Sequence, residues 1–175
     1  MKASGNFAQV QDVDPLLALT EQTRLHIDHW VAKFPPERKR SALLQALAAA
    51  QVQHGGFLTD ALVAAVAKYL ELPAVWAYEV ANFYSMYELK PVGRHNVAIC
   101  TNISCWLNGA EGIVHHCEKK LGIKLGESTA DGRVYLKKEE ECLAACAGAP
   151  LLVINGHYHE NVSPAICDEL LDGLK

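Results

Sequence analysis

Leu151-Leu152-Val153-Ile154-Asn155-Gly156-His157-Tyr158-His159 is the stretch on which the fold class of this 175-residue chain turns. An apolar run, a two-residue connection and a second short run read as two antiparallel strands. Asn-Gly suits a type I′ turn, which needs φ > 0 at both central positions. Upstream, Arg133-Val134-Tyr135-Leu136 is another strand, and Val97-Ala98-Ile99 a third that delivers Cys100 at its carboxyl end. Between them, Gly109 to Leu121 carries helical spacing. Downstream, Ser163-Pro164 opens a last helix as N-cap and first residue, with Ile166, Leu170, Leu171 and Leu174 expected to face inward. The order β-α-β-β-β-α predicts a small mixed sheet with helices packed on it, an α/β (α+β) arrangement.

The composition changes near residue 90. Before it, the pattern is helical and punctuated by Pro and Gly. A first helix starts at the cap Thr20, with Glu21 in its first turn complementing the dipole, and stops before Pro35-Pro36. A second runs from about Ser41 to Gln53, with Gly55-Gly56 as its stop. A third starts at Thr59 and groups Leu62, Val63, Val66 and Leu70 before Pro73. In a fourth, Trp76, Val80, Phe83, Tyr84 and Tyr87 form a stripe expected to pack inward, with an aromatic end able to reach a partner. Residues 1–90 are thus read as a helical segment and 91–175 as a sheet-bearing domain. Arg38-Lys39-Arg40 reads as a solvated face.

Half the residues are apolar and 21% charged, enough to form a core without staples. Sixteen Lys and Arg against twenty Asp and Glu leave a formal charge of −4, which disfavours nucleic-acid binding. No apolar run reaches the ~18 residues of a membrane span, since Gln45, Gln51, Gln53 and His54 interrupt the best candidate. Met1 to Phe7 has no apolar targeting core, and Asp12 and Asp14 argue against a transit peptide. The chain reads as cytoplasmic, where thiols stay reduced.

Six cysteines are then the unusual feature. Four form two local pairs, Cys100-x4-Cys105 and Cys142-x3-Cys146, separated by 36 residues (106–141). Each pair is expected in a loop at a strand end, where loops from neighbouring strands converge. Zinc knuckles usually use C-x2-C, because one ion needs each pair's sulfurs close around a single tetrahedron. Wider spacings suit a two-metal body taking one pair per metal, as in a [2Fe–2S] cluster. The plant-type pattern fails, because Asn108 stands where its third cysteine belongs. A Rieske site lacks its Cys-x-His, and no C-x2-C exists for a thioredoxin-type dithiol. Spacing favours [2Fe–2S] and leaves structural zinc and unmetallated cysteines as alternatives. Small residues around the second pair (Ala144, Ala145, Ala147, Gly148 and Ala149) let the backbone approach, and the helix after Cys105 would aim its N-terminal amides at the site. Cys117 and Cys167 stand at core spacing on helices and read as buried structural thiols. His26 and His29 lack an acidic partner and read as surface residues. His157 and His159 share a strand face with no Cys or Asp in register. There is no P-loop and no G-x-G-x-x-G, hence no nucleotide site of its own.

Taken together, Cys100-x4-Cys105 and Glu141-Cys142-Leu143-Ala144-Ala145-Cys146-Ala147-Gly148-Ala149-Pro150 resemble a known family. It is the thioredoxin-like [2Fe–2S] ferredoxin family of complex I, the E subunit (24 kDa type) of NADH:quinone oxidoreductase. The resemblance also covers Gln53-His54-Gly55-Gly56, Tyr78 to Tyr84, Lys90 to His95 and Asn155 to Asn161, spanning roughly residues 38–175. It implies an N-terminal helical segment followed by a thioredoxin-like domain with one [2Fe–2S] cluster on Cys100, Cys105, Cys142 and Cys146. It further implies docking on the FMN- and NADH-binding flavoprotein subunit in the peripheral arm, with FMN and NADH bound only there. No catalytic residue or substrate site of its own follows; the chain would be a redox subunit, peripheral to the inner membrane through the complex. Similar modules serve NAD-dependent formate dehydrogenases and NAD-reducing or bifurcating hydrogenases. A zinc-stabilised adaptor and a free-standing ferredoxin are the other readings. One departure is visible: the family commonly has Gly where Ala144 and Ala147 stand, and Ala at φ > 0 would cost about 1 kcal/mol.

Overall fold

Residues 14–138, 140 and 142–175 are described by the computed structural model. The stretch Met1 to Phe7, Asp12 and the motif residue Glu141 lie outside the described residues. The chain divides into two compact units, Met1–Pro91 and Val92–Lys175.

The first unit is helical. Asp14 caps α1 (Pro15–Ala18), its side chain accepting from the Leu16 amide. Thr20 caps α2 (Glu21–Val31) by accepting from Thr23 N, and Thr59 caps α4 (Asp60–Tyr69) by accepting from Leu62 N. Between them, a 3-10 segment, Pro36–Ala42, leads into α3 (Leu43–Gln53). The segment from Pro36 was not expected; Pro36 supplies a helical φ without needing a donor, so the turn begins earlier than the apolar spacing indicates. Helices of 10 or 11 residues are marginal alone. They hold by burying Ile27, Leu43, Leu47, Val63, Val66 and Leu70 in one core. Gln51 and Gln53, breaks in the apolar run at the sequence level, tie the unit together. Gln51 donates to Met86 O and accepts from Glu88 N; Gln53 donates to Ala18 O and accepts from Thr20 N.

The aromatic stripe is where the unit departs from expectation. The helix α5 (Ala74–Phe83) ends before the stripe does, and its buried residues are Ala77, Tyr78 and Ala81. Phe83 is 80% exposed. Tyr87 lies beyond the helix, buried, with its hydroxyl donating to Leu44 O at 2.7 Å. Small alanines let α5 approach its neighbours closely. Val80 and Tyr84 pack against the core as expected and, with Trp76, also line an open groove, where the Arg40 guanidinium stacks 4.4 Å over the Trp76 ring.

The second unit is a five-stranded mixed sheet in the order β2-β3-β1-β4-β5. Its strands are β1 (His95–Ile99), β2 (Glu127–Ser128), β3 (Val134–Leu136), β4 (Leu152–Ile154) and β5 (His157–His159). β1 runs parallel to β3, with His95 opposite Val134, and antiparallel to β4, with Ile99 opposite Leu152. Asn155 and Gly156, at φ of 51° and 84°, make the β4–β5 turn with both residues left-handed, as type I′ geometry requires. Helices α6 (Ile103–Leu107) and α7 (Ala110–Leu121) cross from β1 towards β3, and α8 (Pro164–Asp172) closes the chain, capped by Ser163.

Alternation along β1 assigns its two faces. Val97 and Ile99 join Ile113, Val114 and Cys117 of α7 and Cys167 and Leu171 of α8 in one core. Ala98 and Cys100 join Cys105, Leu151 and Val153 in another. Ile166, expected inside, is 39% exposed; Leu171 is buried beside Cys167, and Leu170 and Leu174 pack against the same core, as expected. Among the described residues no helix is long and apolar enough to cross a membrane.

Candidate metal centre

Cys100 immediately follows β1, and its amide donates to Leu151 O at 3.1 Å, continuing the ladder with β4. That bond holds the thiol at the sheet's carboxyl end. Two residues on, Asn102 opens α6, which the sequence reading did not foresee. Cys105 therefore sits in the middle of a helix rather than in a loop, and it is buried. A five-residue helix is below the length at which periodicity can be recognised.

The second pair lies on an irregular segment. Cys142 is exposed, and Cys146 begins a single 3-10 turn, Cys146–Gly148, so it too departs from the loop expected. Ala144 adopts φ 58°, the left-handed region, while Ala147 does not. Of the two family departures, only Ala144 carries a conformational cost, about 1–2 kcal/mol for a residue with a Cβ. Gly148 has a different reason to be glycine. A Cβ there would run into the Glu160 side chain, and the Gly148 carbonyl accepts from Asn161 N at 2.6 Å. The segment then ends at a cis Ala149–Pro150 peptide bond.

All four thiols line one cavity of about 220 Å³, together with Asn102, Ile103 and Ser104. Cys142 and Cys146 stand 3.7 Å apart, sulfur to sulfur. Two thiolates bound about 2.3 Å from one metal at the tetrahedral angle are about 3.8 Å apart, so this pair already matches the edge of a metal–thiolate tetrahedron. Cys100 and Cys105 are hydrogen-bonded to each other. Burial opposes a thiolate at Cys100, but hydrogen bonds from the Asn102 side chain and amide, from Cys105 and from the Leu143 backbone outweigh it and lower the pKa. Burial raises that of Cys105, and the bond shared with Cys100 adds to the rise. Among the described residues, no three His, Cys, Asp or Glu side chains close on a single point as ligands of one ion would. The thiols stand as two pairs around a shared space.

A family model described as thioredoxin-like [2Fe-2S] ferredoxin matches residues 27–175. The chain belongs to this family. Among its relatives, the E subunit of NADH-quinone oxidoreductase from Rickettsia felis is 47% identical over 142 residues, covering 81% of this chain and 84% of that protein. The Rickettsia bellii protein of the same name is 46% identical over 145 residues, 83% and 86% of the two chains. The E subunit numbered 2 of Rhizobium meliloti is 39% identical over 152 residues, 87% and 88%. In fold, the chain is similar to an NAD+-reducing [NiFe]-hydrogenase in its air-oxidized state, with TM-score 0.57 and 22% identity over 75% of this chain. The H2-reduced state gives TM-score 0.56 and 25% identity over 72%. In both, this chain spans 22% of the hydrogenase chain.

The group to be fitted is the [2Fe–2S] cluster of this ferredoxin family, and the residues present fit it. There are four thiols in two pairs, one pair already at a tetrahedral edge, and the cavity is larger than a single ion needs. Sequence reading missed two further residues. The Asn102 side-chain amide donates to Cys100 Sγ at 3.4 Å and to Glu140 O at 3.1 Å. Lys137, almost fully buried, pairs with Glu140 at 3.0 Å and anchors the start of the second segment. Only the closeness of Asn102 to Cys100 in the chain hints at the first; nothing local marks the second. Elsewhere, His26 and His29 are exposed, and His26 Nε2 accepts from Trp30 Nε1 at 3.1 Å.

Proposed function

We propose that this chain is the electron-transfer subunit of an NADH:quinone oxidoreductase, with one [2Fe–2S] cluster held by Cys100, Cys105, Cys142 and Cys146. The observation that carries this reading is the four thiols, from two motifs 36 residues apart, lining one open cavity. Identity of 39–47% to E subunits of that complex, over most of both chains, supports the choice of complex. In this reading residues 91–175 are the cluster domain and 1–90 a helical segment. The partners are the FMN- and NADH-binding flavoprotein subunit and other peripheral-arm subunits, on the cytoplasmic face of the inner membrane.

When bound, the cluster supplies one-electron chemistry. The chain's own residues bind and shield it. Cys100 and Cys105, buried at the end of β1 and in α6, fix one half of the ligand set; Cys142 and Cys146 close it from the solvent side. The Asn102 amide aims a positive dipole at the Cys100 sulfur, which favours negative charge there. Ile103, Trp106 and Leu107 of α6 are exposed beside the pocket. Covered by a partner, they would exclude water from the rim and leave Cys142 and Cys146 close to the partner's redox group.

Metal and acid-labile sulfide analysis with low-temperature EPR of the reduced protein tests the reading. About two iron and two sulfide per chain and a reduced-state signal are expected. One zinc and no signal would make it an adaptor. Co-purification identifies the complex: a flavoprotein accompanied by quinone-reducing subunits supports the proposal. A hydrogenase or formate dehydrogenase partner would assign the same module to that machine.

A further inference from the structure

The two cysteines outside the pocket are themselves a pair. Cys117 lies on α7 and Cys167 on α8, 50 residues apart, yet their sulfurs are 3.0 Å apart and neither side chain is exposed at all. The contact lies on the side of the sheet that Val97 and Ile99 face; Cys100 and Cys105 belong to the other core. Ion pairs fix the register of the two helices around it. His116 meets Asp168 at 2.8 Å, and Lys120 meets Asp168 at 3.2 Å and Asp172 at 2.8 Å. An approach of about 1 Å separates the sulfurs from a bond of about 2.05 Å.

We propose that Cys117 and Cys167 are an oxidisable dithiol that closes to an intramolecular disulfide joining α7 to α8, a modification site separate from the cluster ligands. The hydrogen bond between the thiols, with burial, keeps a proton on Cys117; the same bond, helped by His116, favours the thiolate at Cys167. Cys167 is therefore the sulfur that reacts with a small two-electron oxidant such as hydrogen peroxide. Its thiolate attacks one peroxide oxygen, the O–O bond breaks, and hydroxide leaves, giving a sulfenic acid. Cys117 then attacks that sulfur, the S–S bond forms, and water departs. In sum, two thiols lose two electrons and two protons, and one peroxide becomes two waters.

The disulfide would close residues 117–167 into a loop containing Cys142 and Cys146. A cross-link of that length restricts the unfolded chain, so it opposes unfolding of the segment bearing the exposed thiols.

The test is a non-reducing peptide map of the purified chain before and after hydrogen peroxide, with free thiols alkylated under denaturing conditions. The expected product joins the Cys117 and Cys167 peptides and is lighter than their sum by two hydrogens. Tm should rise by on the order of 5–10 °C, reversibly with dithiothreitol, and should not rise in Cys117→Ala. Recovery of both residues as alkylated free thiols, or as separate sulfinic acids, would overturn the proposal. The wild-type map decides this even if the variant does not fold.

Discussion

Two pairs of thiols approach each other in the second unit, and burial separates their chemistry. Cys142 and Cys146 stand 3.7 Å apart on an exposed, irregular segment facing a cavity. Cys117 and Cys167 stand 3.0 Å apart between two helices, inside a packed core. The first pair faces a cavity with room for a third body; the second pair meets inside the core, where each sulfur's nearest reactive neighbour is the other. Contact distance alone does not assign a cysteine its role. The space around the contact does.

The most severe way to break this comparison is to remove a pocket thiol. Cys105→Ala and Cys142→Ala should each abolish or badly weaken cluster binding, read as lost iron, sulfide and visible absorption, because no other ligand stands at that position. Cys117→Ala should leave the cluster spectrum intact and cost about 1 kcal/mol of stability, seen in a denaturant midpoint. A bleached cluster in Cys117→Ala would exchange the roles assigned to the two pairs.

Smaller effects sharpen the contrast between strained and relaxed backbone. Ala144 occupies the left-handed region at φ 58°. Ala144→Gly relieves about 1–2 kcal/mol of strain and gives back roughly 0.4–1 kcal/mol in unfolded-chain entropy. A net stabilisation of about 0.5–1 kcal/mol follows, measurable by chemical denaturation. Gly156→Ala is its mirror image, at φ 84° in the hairpin turn, and should destabilise by about the same amount.

The smallest effect is at the surface. Hydrogen bonds from His116 and Lys120 hold the Asp168 carboxyl below the usual range. A depressed carboxyl contributes stability above its unfolded pKa, about 3.9, and loses it as pH falls through the lower folded value. Asp168→Asn should therefore lower the midpoint slightly near neutral pH, and the difference should vanish in strong acid.

Much of this was legible where the determinants are local. Thr20, Thr59 and Ser163 cap the helices expected of them, and Asn155-Gly156 makes the expected turn, because each acts within about three residues. Cysteine spacing, with the family resemblance, pointed to the four thiols that the fold brings to one pocket. Of the stripes read on α5 and α8, Phe83 and Ile166 are outside, whereas Val80, Tyr84 and Tyr87, and Leu170, Leu171 and Leu174, pack inward as expected; alanine and cysteine take the tightest inward positions. The contact between Cys117 and Cys167 joins residues 50 apart through helix packing, and neither neighbourhood encodes it. Asn102 was overlooked because its importance lies in an N–H···S bond that exists only once α6 has formed.

The separation of the two cysteine motifs also has a consequence in time. A ribosome adding roughly 5–20 residues per second exposes Cys142 some 2–7 s after Cys105. For most of that interval β1 lacks both flanking strands, since β3 is made only shortly before Cys142 and β4 after Cys146. Iron and sulfide reaching the nascent chain would meet half a ligand set on an unpaired strand. The full ligand set thus exists only after β3 has been made, and a truncated chain ending before Cys142 would carry only two of the four pocket thiols.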